Sequence, residues 1–403
     1  MKILLFCQLF PPLIYGGGET LFWSLAQSLV SRGHEVHVIT QRIAGQPNSE
    51  RRSDVHIHRV GAPTDYKATL ATGLSESLTY LGGAIFAGIR IIVREHIDII
   101  HSNTYVPAVA ALVCGSILRK RHIMTVHDVY LASMPWFWRE WSRQPGVGIF
   151  ARIFGTILER VLVRIPVSVI QTVSETSKRD LLGIGARAKI VVVPNGIDVS
   201  EYGIGEVSVK PHQAIFIGRL VFYKNLEIVF RALTKVIQVV PDAKLIIVGD
   251  GPMRAAWERM VEDLGLGHHV RFCGRIPQDR KLSLLEESGF LVLPSMVEGF
   301  GIVALEAFAC RKPVLASAIG ALRELVSDGI DGYLVNPTSE TDWENRMVTL
   351  FEKPERARQM GVMGRHKVDA KFAMERVVDR MERLYELLRE PEGASPVPIH
   401  PQT

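Results

Sequence analysis

The chain has only four cysteines in 403 residues, and Cys7, Cys114, Cys273 and Cys310 form no Cys-x-x-Cys pair. Such spacing excludes a zinc ribbon or a disulfide framework and fits buried free thiols in a reducing, cytoplasmic compartment. There is no Asp-x-Asp, a common way of offering a divalent ion to a nucleotide diphosphate, and no Gly-x-Gly-x-x-Gly. Long basic runs and nucleic-acid-binding motifs are also missing, so the charge of +5 and pI near 9.0 predict anionic small molecules or an acidic surface as partners, and no nucleic acid. No 18-residue apolar segment is read, the nearest being "YLGGAIFAGIRIIV" from Tyr80, which Arg90 interrupts; nothing is therefore expected to span a bilayer. The opening "MKILLFCQLFPP" is too short in its apolar run for a signal peptide and reads as a first strand.

What is present is alternation. Short β-branched runs ("KILLFC", "HEVHVIT", "IDIIHS", "HIMTVHD", "SVIQTVS", "KIVVVPNG") alternate with helical patterns, pause at "NGIDVSEYGIGEVSVKPHQ", and resume with "AIFIGRL", "KLIIVGDGP", "VRFCG", "FLVLPS", "PVLAS" and "GYLVN". This predicts two α/β domains of Rossmann-like βαβ units, residues 1–203 and 204–371, each with a parallel sheet covered by helices on both faces. An amphipathic helical region closes the chain, and 390–403 reads as a disordered tail.

In such sheets ligands sit beyond the carboxyl ends of the strands, where helix N-termini present free amides. Arg219 and Lys224 fall there in "AIFIGRLVFYKN", and two cations near a helix start are better explained by an anion between them than by the helix dipole, solvated charges being the plain alternative. Gly249 and Gly251 in "VGDGP" permit close backbone approach to a ligand, or form a tight turn with Asp250 as N-cap. Gly17 and Gly18, in a triple glycine after the first strand, suit a backbone that meets a phosphate or sugar, or a flexible connector. His127, in "TVHD", ends a strand on its carboxyl side, where a hydrogen-bonded core histidine is equally expected. His56 and His58 share one strand face and His268–His269 sit in a turn; with no third ligand nearby, both pairs read as surface features.

The stretch "EGFGIVALEAFAC" carries most. Gly299, Phe300 and Gly301 should start a helix whose first amides face the cleft, with Glu298 in the loop before it. Glu306 has only apolar neighbours one turn either side, so its carboxylate should be buried and need donors, for which a ligand's hydroxyls are candidates.

In this order, "GGGE", "TVHD", "VPNGID", "IGRL…KN", "VGDGP" and the glutamate pair Glu298/Glu306 resemble a family-4 (group 1) retaining glycosyltransferase of GT-B architecture over nearly the whole chain. The resemblance implies two domains facing a central cleft, with residues 372–389 crossing back to pack on the first domain. It implies that Arg219 and Lys224, after Gly218, bind the donor's diphosphate as it leaves, and that Glu298 with the Phe300–Gly301 amides holds the transferred sugar. Glu306 would accept from the ribose, Gly17 and Gly18 would approach the phosphates from the opposite domain, and His127 would contact the sugar. It also implies neither metal nor other cofactor. Arg311 and Ala321 depart from the family's usual glycines. The acceptor, a glycan or lipid-linked hydroxyl, would belong to the first domain. There "MPWFWREWSRQPG" and an apolar stripe through Ile157 and Val161, accompanied by arginines, suit an anionic membrane surface met through residues 135–164 on the inner face of the cytoplasmic membrane, or else a core-facing helix. A sugar-nucleotide 2-epimerase and a non-catalytic sugar-nucleotide binder are the rival functions.

Overall fold

The apolar runs become the strands of two sheets in the computed structural model, which describes residues 1–12, 17–64, 74–144, 150–203 and 207–389, with backbone alone for 64, 74 and 150–154. The first sheet is built from β1 (Lys2–Phe6), β2 (Glu35–Ile43), β3 (Ser49–Arg52), β4 (Val55–Thr64), β5 (Ile99–Ser102), β6 (His122–Val126), β7 (Val169–Thr172) and β8 (Lys189–Val192). The second contains β9 (Lys210–Ile217), β10 (Lys244–Val248), β11 (Val270–Gly274), β12 (Ser288–Leu293), β13 (Val314–Ser317) and β14 (Gly332–Val335). Their orders are β3-β4-β2-β1-β5-β6-β7-β8 and β11-β10-β9-β12-β13-β14, parallel throughout except for the β3–β4 hairpin. Strand order therefore reverses between β1 and β5 and between β9 and β12. Crevices open beyond the carboxyl ends of a sheet at such reversals.

Three features differ from the reading of the sequence. The β3–β4 hairpin lies in "SERRSDVHIHRV", too charged to read as a strand pair; its two-residue turn, Ser53–Asp54, has φ of 46° and 61°, the positive values that a tight hairpin requires. The stretch interrupted by Arg90 forms one continuous helix, Leu74–Glu95, long and apolar enough by length and composition to cross a membrane, contrary to the expectation of no such segment. It packs Tyr80, Ala84, Ile91 and Ile92 into the first domain's core, while Leu78, Phe86 and Val93 on the same helix are exposed. Third, His56 and His58 are not isolated surface residues: the buried His37 stacks against both, at centroid distances of 4.7 and 5.5 Å.

The two domains are tied at a double crossing. Ile197 accepts from Met374 N at 2.9 Å and donates to Phe372 O at 3.0 Å, so the outgoing and returning chains meet as a bridge. The returning helix Met374–Arg389 buries Val377, Val378, Met381, Leu384 and Tyr385 in the first domain's core, and Tyr385 Oη pairs with His101 Nδ1 at 2.7 Å. Arg311, in place of the family's glycine, adopts the left-handed region at φ 55°, so the turn after its helix keeps the glycine geometry and carries the strain of a side chain there.

Burial pushes His101 and His122 down to about 3 and His58 and His127 to about 4, all in the first domain. Unfolded histidines take up protons below about 6.5, whereas these do not until far lower, so the unfolded state binds more protons in that window and stability falls as pH falls through it. The first domain should thus lose urea resistance between pH 6.5 and 4 more steeply than the second. Hydrogen-exchange mass spectrometry resolving the two halves checks this, and equal acid shifts in both would contradict it.

Candidate active site

The loops after β1, β6, β9 and β12 converge where both sheets reverse order, and the two domains meet there backbone to backbone. A methyl group on Gly299 would overlap His127 O and Asp128 Oδ1 of the opposite domain, so only glycine permits this approach. Gly17 begins the helix Gly17–Ser31 and faces Ile302, whose Cδ1 would lie 2.7 Å from an added Cβ. Gly18 faces the His127 ring, with 3.6 Å to its Cδ2 and Nε2 from such an atom. Of the two, Gly17 meets the opposite domain through Ile302, whereas Gly18 packs on His127 of its own domain.

Lys224 and Glu298 form an ion pair at 2.5 Å, and Ser295 Oγ donates to the same carboxylate oxygen at 2.9 Å. Burial pushes the Lys224 ammonium down, but Glu298, Tyr223 and Asp128 outweigh it and hold its pKa above the ordinary value. Arg219 donates to Tyr223 Oη at 3.4 Å, a long bond that leaves most of its guanidinium hydrogens for another acceptor. Asp128, which sequence reasoning quoted but did not nominate, is raised by burial and then by Glu298, while Tyr130 Oη donates to it at 3.1 Å. His127 is kept neutral by burial, and its Nε2 is out of solvent with no hydrogen-bond partner; Glu19 Oε2 on the neighbouring helix is in the same state. Unpartnered buried polar atoms are costly, and beside a cleft they point to a ligand that completes them.

Glu306 stands apart from this group. It is buried, at 8% exposure, in the second turn of the helix Ile302–Ala309, as expected, but it already has donors: Lys281 Nζ reaches both oxygens at 2.9 Å and Tyr202 Oη one at 3.3 Å. Neither partner was legible, because Lys281 is 25 residues and Tyr202 104 residues away in sequence. The same helix has no side-chain cap, and Gly301 leads into it at φ 93°, leaving its first-turn amides toward the loop. The Phe300 ring packs inward on Phe372 at 5.8 Å, so only its backbone is available to a ligand.

Gly249 and Gly251 have an internal reason. A Cβ on either would overlap the backbone of Gly218 or Leu220, and Leu220 N donates to Asp250 O at 3.0 Å. The β10 loop thus shelves the Arg219 loop. Asp250 is not the N-cap considered above; Met253 is, and Asp250 accepts from Gly251 N at 2.8 Å.

Residues 15–201 match the profile described as Glycosyltransferase Family 4, and residues 204–367 that of Glycosyl transferases group 1. The chain belongs to the group 1 glycosyltransferases of family 4. It is 27% identical over 398 residues, 93% of this chain and 95% of the relative, to N-acetyl-alpha-D-glucosaminyl L-malate synthase of Bacillus anthracis. In fold it is similar to sucrose-phosphate synthase from Thermosynechococcus elongatus (TM-score 0.77, 21% identity, 96% and 98% of the two chains). It is likewise similar to Anabaena HepE in complex with UDP-glucose (TM-score 0.73, 19% identity, 96% and 100%). The architecture is GT-B.

In this glycosyltransferase the seam is reinforced on both sides of the candidate-site loops. Glu324 of the second domain accepts from Glu175 N at 2.9 Å and from Thr176 N and Oγ1 at 2.6 and 2.5 Å, capping a helix of the first. Opposite, Phe137, Trp138 and Trp141 pack with Tyr130 on Val221, Phe222 and Tyr223, so most of the tryptophan-rich segment covers the Arg219–Lys224 loop. Trp138 Nε1 is held by Glu159 Oε2 at 2.8 Å.

The Lys281–Glu306 pair is largely buried, with side-chain exposures of 16% and 10%. Lys281→Met strands a buried carboxylate and should destabilise the second domain by about 2–3 kcal/mol, whereas adding Glu306→Leu should recover most of that. Urea denaturation of the two single variants and the double variant checks the cycle; additive losses would show that the pair is not coupled.

Proposed function

We propose that this glycosyltransferase moves a hexose-type sugar from a nucleotide-diphosphate sugar, GDP-mannose or a UDP-sugar, to a hydroxyl of a glycan or lipid-linked acceptor, with retention at the anomeric carbon and without a catalytic metal. The observation that carries the reading is Arg219. Its backbone loop is shelved by the β10 loop, and its guanidinium has one long hydrogen bond, to Tyr223 Oη, beside Lys224 where the cleft closes. The two cations suit a diphosphate whose charge grows as the glycosidic bond breaks, and preplaced charges in a site that excludes water stabilise that state most.

Glu298, occupied by Lys224 and Ser295, suits an acceptor for sugar hydroxyls better than a nucleophile, and no covalent intermediate is invoked. His127 Nε2 lacks a partner and suits a hydroxyl of the same sugar. The leaving phosphate would take the acceptor's proton on the face it departs from. Glu306 would receive the ribose, with Lys281 and Tyr202 holding its carboxylate in place.

Incubation with GDP-mannose and several UDP-sugars, with and without EDTA, and NMR of the product separates the candidates. Slow nucleotide release with an axial anomer retained is expected; isomerised donor would favour the epimerase, and binding without turnover the silent binder. Lys224→Ala should lower kcat about 10²–10³-fold, and Glu306→Ala should weaken nucleotide binding; unchanged values would remove these residues from the site.

We further propose that the enzyme works at the inner face of the cytoplasmic membrane through residues 135–164. Residues 145–149 of that segment lie outside the described ones, but Trp136 and, on the helix Phe150–Leu162, Ile157, Leu158 and Val161 are exposed. Apolar side chains on an outward helix face beside Arg160 suit an interface with anionic lipid. Flotation should show binding to liposomes containing anionic lipid and not to neutral ones; no binding to either would overturn this.

A further inference from the structure

At the edge of the first sheet away from the cleft, three elements bring their ligating side chains together. Glu35 and His37 lie at the start of β2, His56 and His58 near the start of β4, and Glu95 ends the helix Leu74–Glu95. One oxygen of Glu35, one of Glu95 and a ring nitrogen of His37 all lie within 4.8 Å of one another, and Glu35 Oε1 and His37 Nε2 are 2.9 Å apart. We propose that Glu35, His37 and Glu95 bind a divalent transition-metal ion of the Zn²⁺ type.

Ligand atoms around such an ion lie roughly 3 Å apart at bond lengths of about 2.0–2.2 Å, so small rotations of the two glutamates bring this set to coordination distance. The outer contacts suit it as well. His37 is 3% exposed, and its Nδ1 faces His58 Nε2 at 3.2 Å, the arrangement that fixes a ligand imidazole by its other nitrogen. In the tautomer with Nδ1–H donating to His58, Nε2 turns its lone pair toward the two carboxylates, and the ion would take the place of the proton that otherwise makes the 2.9 Å Nε2···Glu35 Oε1 contact a hydrogen bond. Two cations flank the set: Lys2 Nζ is on Glu35 Oε2 at 2.9 Å and Arg94 Nε on Glu95 Oε1 at 3.2 Å. His56 stacks parallel on His37 and completes the aromatic wall.

One nitrogen and two oxygens, with water as the remaining ligand, suit Zn²⁺, Co²⁺ or Ni²⁺ better than Ca²⁺ or Mg²⁺. The ion would pin the end of the helix to β2, and through His58 to β4. Because it lies at the opposite edge from Arg219 and Lys224, its occupancy should alter stability and leave donor binding alone.

The test uses the untagged full chain at pH 7.5, titrated with Zn²⁺ by calorimetry and with Co²⁺ by visible absorption. One ion per chain is expected, with a raised thermal midpoint. Glu95→Gln and Glu35→Gln, both at partly exposed positions that should not disturb folding, should each weaken binding at least about tenfold and leave nucleotide affinity unchanged. His37→Gln should abolish it; if that variant does not fold, the two glutamine variants decide. Absence of binding in the unaltered chain, or unchanged affinity in both Glu variants, would overturn the proposal.

Discussion

Everything at the cleft depends on one contact, the approach of the Gly299 backbone to the His127 carbonyl and the Asp128 carboxylate. It brings the loop after β12 onto the loop after β6 with no side chain between them. That single absence of a Cβ lets Glu298 and the first-turn amides of the next helix belong to one domain, and His127 to the other, while lining one space. A side chain at 299 would separate the two domains by about its own width, and charges placed to act on one ligand would no longer share it.

The rest of the molecule holds this contact in register. Glu324 caps a helix of the opposite domain on one flank, and an aromatic cluster around Phe137 and Tyr223 closes the other. Behind them, Ile197 and Ala373 join the outgoing and returning chains, and the last helix roots the second domain in the first domain's core. The polar contacts on the Glu324 flank are exposed and individually weak, whereas the returning helix buries a full apolar face. The physical expectation is a permanent tether at the crossing and a seam that opens and closes.

Much of the fold was legible because parallel strands buried on both faces must be written as short β-branched runs, and nearly every such run became a strand. β3 and its pairing with the strand of His56 and His58 escaped because β3 is charged and lies at the sheet edge, where neither periodicity nor apolar content marks it. The candidate site was legible to the extent that its groups follow strands: Arg219, Lys224, Glu298 and His127 all do. Lys281 and Tyr202 were not, since each reaches Glu306 from a distant element. Nor was the purpose of Gly249 and Gly251, which serve a backbone contact with Gly218 and Leu220. The histidines of β4 were misread for the same reason: their neighbours His37 and Glu95 are close only once β2 and the helix Leu74–Glu95 pack beside them.

The sequence by itself determined two Rossmann-like halves, the loops that carry chemistry and the order of motifs that marks the family, because strand pattern and strand-end residues are local properties of the chain. Tertiary structure alone decided which carboxylate is tied to which cation, why most of the tryptophan-rich segment turns inward, and where His127 lies against Gly18 and Gly299. Those are distances between segments from 25 to well over a hundred residues apart, set by how the two sheets and their loops pack, and no local pattern encodes them.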